Sequence, residues 1–299
     1  MDPSVVVDES VLRSYDRFSL FNSPYPAHDR GCGIDLYPGS DIAFSPVAGT
    51  VTETLSVNCP DRPYAVNRDH LIVVEVDRGA TPTDLPEGFV ARILHVEPSV
   101  EAGDRVEIGD RLGTLIRSGF FGRWVANHLH LDFRSVTQHP RRASGSVPIS
   151  LPINVEPIAW DGTGTVVETG PTHARLDTPS HPNPGQFAAI ATDAGVPIDG
   201  GLTHYGGGGV LSAPTGAAAD CHLRLFGTPI GIASGRTVRW DPVDVFANGE
   251  RITGLSLFAD QTGDWGGKLV TIDADFAVGD RVEVTIEPSD DPIRLGGRR

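Results

Sequence analysis

The chain lacks a long apolar run and is poor in cysteine. No segment approaches the roughly 18 apolar residues that a membrane-spanning helix needs, so we expect no membrane insertion. Cys32, Cys59 and Cys221 are odd in number and show no CxxC spacing, which argues against a disulfide framework or a thiolate zinc site. Positive charge is also scarce: the net charge of −15 opposes nucleic-acid phosphates, so we expect no nucleic-acid partner.

The first residues lack a basic segment followed by an apolar core, which is the pattern of a secretory signal. By default we therefore expect a cytoplasmic protein, which would be extracellular only if another route exported it. The length of 299 residues leaves room for two ordinary domains or one large β-rich domain.

Glycine and proline are abundant and lie between short β-branched runs such as Leu71–Val74. This texture predicts a mainly β protein with many short strands and turns. In the N-terminal half we expect strands near 33–37, 41–45, 48–55, 70–77, 90–95, 104–106, 111–116 and 128–134. Ahead of them, a short helix is expected around 9–17, and in the C-terminal half the run Gly206–Gly209 predicts a sharp turn.

The composition divides the chain into three parts. Residues 1–27 form an entry segment, residues 28–150 a β domain, and residues 151–299 a β-rich C-terminal region of unknown function. The boundary between the last two falls in a stretch rich in Pro, Ser, Gly and Arg, residues 138–152, which is typical of a linker or long loop.

Two histidines, His128 and His130, lie two residues apart in a segment that alternates polar and apolar residues. In a β-strand such residues point to the same face, with the apolar set packed beneath them. A same-face imidazole pair on a rigid strand can hold a metal ion or transfer a proton. The alternative is a pair of solvent-facing histidines on a half-buried strand.

His28 and Asp35 can complete a metal site with His130. A catalytic zinc takes three protein ligands, with nitrogen or carboxylate donors, and keeps one position open. The three side chains supply such a set. Zinc held there would lower the pKa of water towards about 7 and polarise a carbonyl group.

Residues 28–136 carry five sequence elements in a defined order. They are Gly33-Ile34-Asp35-Leu36, a hairpin over Gly39–Val51, Ile93-Leu94-His95-Val96, a turn over Gly103–Gly113, and His128-Leu129-His130. Together they resemble the lysostaphin/LytM-type zinc endopeptidases, which mostly cut peptide cross-links of bacterial cell walls. The resemblance covers a little over a third of the chain. It implies a duplicated hybrid motif β-sandwich, to which the second β-rich region is appended.

The resemblance also implies a reaction and roles for named residues. One Zn²⁺ per chain would be bound by Asp35 and His130, with His28 as the first ligand. His95 and His128 would flank the zinc as catalytic residues, acting as general base and as hydrogen-bond donors to the tetrahedral oxyanion. The implied activity is zinc-dependent hydrolysis of a peptide bond, with a peptide or peptidoglycan-like molecule as substrate.

The spacing of the first ligand departs from the family pattern. In the family this histidine usually lies four residues before the aspartate, a position that Gly31 occupies here, whereas His28 lies seven residues before Asp35. His28 reaches the metal only if residues 29–32 bulge outward, which the glycines make sterically easy. This departure and the missing export signal favour an alternative function, in which a catalytically degenerate scaffold serves as a binding or interaction module.

Three further features leave open alternatives. Cys32 is either a competing soft donor or an ordinary small loop residue. Asp132 either orients a ligand imidazole or is a solvated strand residue. The aromatic segment Gly119–Trp124 replaces the small polar residues of the family, and it covers the site, binds a hydrophobic ligand or caps the core.

Overall fold

The computed structural model describes residues 4–212, 220–272 and 275–295. These residues form β-strands and one short helix, α1 (Glu9–Leu12), so the prediction of a mainly β protein is confirmed. The helix is shorter than predicted: it ends at Leu12, and the amide of Asp16 donates to the carbonyl of Tyr37 and not to that of Leu12, as a continued helix would require. Among the described residues, no helix is long and apolar enough to cross a membrane.

The chain forms two compact units. The first contains the chain up to Phe18 together with Cys32–Ile153, and the second contains Ser19–Gly31 together with the chain from Asn154 onward. The strands up to Ile153 are β1 (Val5–Val7), β2 (Arg17–Ser19), β3 (Gly33–Tyr37), β4 (Ile42–Phe44), β5 (Gly49–Asn58), β6 (Arg68–Val76), β7 (Thr83–Asp84), β8 (Phe89–Leu94), β9 (Val96–Pro98), β10 (Arg105–Val106), β11 (Arg111–Leu115), β12 (Leu129–Ser135) and β13 (Ile149–Ser150).

The largest sheet of the first unit has the strand order β10-β5-β6-β8-β12-β3. Two small sheets accompany it, with the orders β4-β11-β9 and β13-β1-β7. In the large sheet β12 pairs antiparallel with both β3 and β8, and His130 is the partner of Asp35 on one side and of Leu94 on the other. This register places the two predicted ligands next to each other, beside the end of β8.

Strand β12 is buried on both of its faces. Its apolar residues Leu129, Leu131 and Phe133 have no exposed surface, and the polar residues between them are buried as well. The interpretation of His128 and His130 as solvent-facing residues is therefore wrong: they are 3% and 7% exposed.

The second unit is built around one large antiparallel sheet. The strands of this unit are β14 (Glu156–Ile158), β15 (Thr163–Gly170), β16 (His173–Leu176), β17 (Ala188–Ile190), β18 (Ile198–Leu202), β19 (Gly207–Val210), β20 (Cys221–Leu225), β21 (Thr228–Ser234), β22 (Thr237–Trp240), β23 (Val243–Ala247), β24 (Glu250–Ile252), β25 (Gly254–Leu257), β26 (Ala259–Asp260), β27 (Lys268–Val270) and β28 (Arg281–Pro288). The large sheet has the strand order β20-β21-β22-β19-β18-β25-β27-β16-β15-β28-β23-β24. Elsewhere in this unit β17 pairs with β14 and β26.

The glycine run 206–209 is not the predicted sharp turn, because Gly207–Val210 forms β19. This strand pairs with β18 and β22. A Cβ atom on Gly208 would lie 2.2 Å from the ring of Trp240, and one on Gly209 would lie 2.1 Å from the ring of Phe21. The glycines therefore allow aromatic rings to pack directly on the strand.

Candidate metal centre

Asp35 and His130 form the centre of a buried polar cluster in the first unit. The Nδ1 atom of His130 lies 2.9 Å from Oδ1 of Asp35, and Nε2 of His128 lies 3.4 Å from its Oδ2. His128 immediately precedes β12, and its Nδ1 lies 2.9 Å from the carbonyl oxygen of Ala126. With that ring nitrogen donating to a carbonyl, Nε2 is the atom that His128 presents to Asp35.

Asp132 orients His130 from the opposite side. Its Oδ2 lies 3.2 Å from Nε2 of His130 and accepts a hydrogen bond from Arg92, while its Oδ1 accepts one from the hydroxyl of Ser146. The side chain is 1% exposed, so the interpretation of Asp132 as a solvated residue is wrong. A histidine that donates one ring N–H to a carboxylate and binds a metal through the other nitrogen is a common arrangement in metal sites.

The carboxylates on both sides of His130 favour positive charge at this position. Burial alone would lower the pKa of His130, but the hydrogen bonds to Asp132 and Asp35 outweigh burial and raise the pKa to about 9. For Asp132, burial is outweighed by the charge of Arg92 and by the bond to His130, which hold its pKa well below the ordinary range. The surroundings of His130 therefore suit a cation.

The structure brings the three predicted ligands together. His28, Asp35 and His130 are all buried, and each offers one ligand atom that lies within 4.8 Å of the others. Nδ1 of His28 lies 2.9 Å from the carbonyl oxygen of Leu20, which can only accept, so Nδ1 is the donor in this hydrogen bond. With the proton on Nδ1, Nε2 has the lone pair that a metal ion requires. Two imidazoles and one carboxylate match the donor set of a zinc site.

The loop after His28 accommodates the unusual spacing. The amide of Gly31 donates to the carbonyl of His28, and Gly31 adopts a φ of 62°, in the left-handed region that favours glycine. Cys32 is buried and does not belong to the group of candidate ligands that the described residues form. It is therefore a packed loop residue.

His95 lies at the end of β8 and is held by a buried carboxylate. Its Nδ1 is 2.5 Å from Oδ2 of Asp69, and its backbone amide donates to Oδ1 of Asp69 over 3.0 Å. The His95 ring centroid lies 5.3 Å from that of His128 and 6.0 Å from that of His130. The three histidines thus form one cluster.

Burial and ion pairing act on His95 and Asp69 in opposite directions. Burial lowers the pKa of His95, and the attraction of Asp69 does not fully offset this effect. For Asp69, burial is outweighed by the interaction with His95 and by the hydrogen bond from Ser118, which lower its pKa to about 2. At neutral pH the pair therefore consists of an imidazole and an ionised carboxylate.

An aromatic segment covers this cluster. The ring of Phe121 stacks on His128 with a centroid distance of 4.3 Å and lies 4.7 Å from the ring of His95. Tyr64 donates a hydrogen bond to the carbonyl of Phe121, and Arg117 donates to the carbonyl of Gly122, so the segment is fixed at several points. Of the three alternatives for the aromatic segment, the position of Phe121 corresponds to the first, in which the segment covers the site.

Comparisons with known proteins identify a family for both halves of the chain. The N-terminal domain model of a domain of unknown function, DUF8155, matches residues 6–151, and its C-terminal domain model matches residues 156–287. The chain belongs to the DUF8155 family. No curated protein matches it.

Two solved structures are distantly similar to this DUF8155 protein. The structure of LytU is 20% identical, with 38% of this chain and 68% of that chain covered and a TM-score of 0.26. The solution structure of lysostaphin is 14% identical, with 86% of this chain and 96% of that chain covered and a TM-score of 0.27.

Sequence reasoning missed three buried residues of the DUF8155 cluster: Asp69, Arg92 and Ser118. A charged residue within an otherwise apolar strand was the available signal for Arg92, which is the register partner of Asp132. Asp69 gives a weaker signal, because it stands near the start of β6 and in no recognisable motif. Only the pairing of β6 with β8 brings it next to His95.

Proposed function

We propose that this protein is a zinc-dependent endopeptidase that hydrolyses a peptide bond, with a cell-wall-type peptide as substrate. The observation that carries the proposal is the convergence of His28, Asp35 and His130, whose ligand atoms lie within 4.8 Å of one another. One zinc per chain would be held by these residues. When bound, zinc supplies Lewis-acid chemistry, because it acidifies water and polarises the scissile carbonyl.

The remaining histidines supply the proton transfers. With Nδ1 of His95 donating to Asp69, its Nε2 carries the lone pair that can accept a proton from the attacking water and later return it to the leaving amine. Protonated His128 can donate from Nε2 to the oxyanion that develops on the carbonyl oxygen. Asp132 keeps the ring of His130 oriented throughout.

Metal content and hydrolysis test the proposal together. The full chain, loaded with zinc and freed of excess metal, is expected to hold one zinc and to release new amino termini from cross-linked peptidoglycan. His130→Ala is expected to lose both zinc and activity, whereas His222→Ala, at an exposed position, is expected to keep both. A chain that binds no zinc, or a His130→Ala variant that retains full activity, would contradict the proposal.

The alternative function, a non-enzymatic binding module, draws support from the burial of the cluster. Asp35 and His128 are each 3% exposed, and Phe121 stacks on His128, so access to the site is restricted. A chain that binds zinc and peptidoglycan fragments in calorimetry, but releases no amino termini from any cross-linked peptide, would favour this alternative.

A further inference from the structure

Asp69 is completely buried and binds His95 at two points. One carboxylate oxygen faces the ring nitrogen Nδ1 at 2.5 Å, and the other accepts the backbone amide of the same residue at 3.0 Å. We propose that Asp69 is a positioning residue that fixes the tautomer and the orientation of the His95 imidazole. This inference rests on the proposed function, in which His95 transfers protons.

The remaining partners of Asp69 hold its carboxylate in place. Ser118 donates its hydroxyl to Oδ2 over 2.6 Å, and the amide of His70 donates to Oδ1 over 2.6 Å. Together with the two groups of His95, four donors surround the carboxylate. An ionised carboxylate with this many hydrogen bonds is stable in a buried position, and it has no freedom to turn away from His95.

The backbone of His95 shows why a two-point attachment matters. His95 has a φ of 72°, in the left-handed region that a non-glycine residue adopts only at an energetic cost. The hydrogen bond from its amide to Asp69 helps to hold this conformation. The same carboxylate therefore sets both the backbone and the ring of His95.

The consequence for the reaction is a defined path for the proton. Because Nδ1 keeps its hydrogen for Asp69, Nε2 is the nitrogen that accepts. In the attack an O–H bond of water breaks and an N–H bond forms at Nε2, and the imidazolium that results is stabilised by the adjacent carboxylate. The proton then passes from Nε2 to the leaving amine as the C–N bond breaks, which restores the neutral ring.

The substitution Asp69→Asn, in the full zinc-loaded chain, tests this role. We expect kcat to fall about 100-fold or more, with KM and zinc content unchanged, because an amide cannot stabilise the imidazolium or enforce one tautomer. Ser118→Ala is the matched control, since it removes one donor to Asp69 without touching His95, and it is expected to have a much smaller effect.

The effect of Asp69→Asn in the His95→Ala variant distinguishes a positioning role of Asp69 from a general structural role. If Asp69 acts through His95, Asp69→Asn causes no further loss of kcat in this background. An equal loss of kcat in both backgrounds, or a loss of zinc in Asp69→Asn, would overturn the proposal.

A spectroscopic measurement on the unmodified chain needs neither a variant nor an activity. The ¹⁵N shifts of the His95 ring at neutral pH are expected to show a protonated Nδ1 and an unprotonated Nε2, and a mixture of tautomers is expected in Asp69→Asn. An unprotonated Nδ1 in the unmodified chain would overturn the role of Asp69. If no peptide is hydrolysed, the proposed function fails, while this result still decides the inference about Asp69.

Discussion

His130 lies between two carboxylates in the interior of the first unit. Asp35 is within hydrogen-bonding distance of one ring nitrogen, and Asp132 of the other. Arg92 neutralises much of the charge of Asp132, with a separation of 2.8 Å. A proton and a metal ion therefore compete for the Nδ1 side of His130, because a ring nitrogen that binds a metal cannot also carry a proton.

The protonation of His130 makes the stability of the metal-free protein depend on pH. Asp132 and Asp35 outweigh burial and raise the pKa of His130 from 6.5 to about 9 in the folded state. Stability from this shift is fully present below about pH 6.5 and is lost as the pH rises through about 9. We expect the free energy of unfolding to fall over this range by on the order of 3 kcal/mol, as measured by urea denaturation of chelator-treated protein.

Two variants identify the source of this decline. His130→Gln removes the titrating group and is expected to flatten the profile between neutral and alkaline pH. His222→Gln changes an exposed histidine of the second unit and is expected to leave the profile unchanged. A decline that persists in His130→Gln would show that another group is responsible.

Among the elements, β19 shows most clearly how packing overrides a local pattern. Its glycines carry no side chain that would favour a strand, yet the strand is paired on both edges. A Cβ atom on Gly208 would also lie 2.7 Å from the carbonyl oxygen of Asp199, so neither the Trp240 ring nor the backbone leaves room for it. The packing around β19 therefore requires residues without a side chain, because the neighbouring ring and backbone leave no space for a Cβ atom.

The substitution Gly208→Ala is expected to destabilise the protein by roughly 1–3 kcal/mol, because the added methyl group forces the Trp240 ring or the paired strand to shift. Gly206→Ala is the matched control: no atom lies within 4 Å of its added Cβ, and a change below about 0.5 kcal/mol is expected. Urea denaturation of both variants measures the difference. Equal effects in the two variants would show that the contact with Trp240 does not account for the loss of stability.

The sequence predicts the strands that carry their own pattern. The segments near 33–37, 90–95 and 128–134 correspond to β3, β8 and β12, whose side chains fill the core. The short strands β1, β7 and β13 have only two or three residues each, too few to show a pattern, and β1 pairs with both of the others. In the site, Asp35, His95, His128 and His130 stand in recognisable motifs, whereas Asp69 and Arg92 acquire their roles through strand register.

At the scale of the whole molecule, the sequence does not reveal which segments belong to which of the two units. Residues 1–27 read as an entry segment, but Ser19–Gly31 belongs to the second unit. Within that unit, Asp199 is completely buried and accepts hydrogen bonds from the hydroxyl of Ser19 and the amides of Leu20 and Phe21. The segment is therefore a structural part of a unit whose remaining residues follow more than a hundred positions later.

This arrangement predicts a reversal in the effect of one substitution. In a fragment of residues 154–299, Asp199 lacks the three donors of the segment 19–31, so Asp199→Asn is expected to raise stability by removing a carboxylate that has lost these hydrogen bonds. In a chain that joins residues 19–31 to this fragment through a flexible linker, the same substitution is expected to cost about 1–3 kcal/mol, because it breaks satisfied hydrogen bonds. Urea denaturation of the four proteins measures both signs. If Asp199→Asn acts in the same direction in both, the segment 19–31 does not complete the second unit.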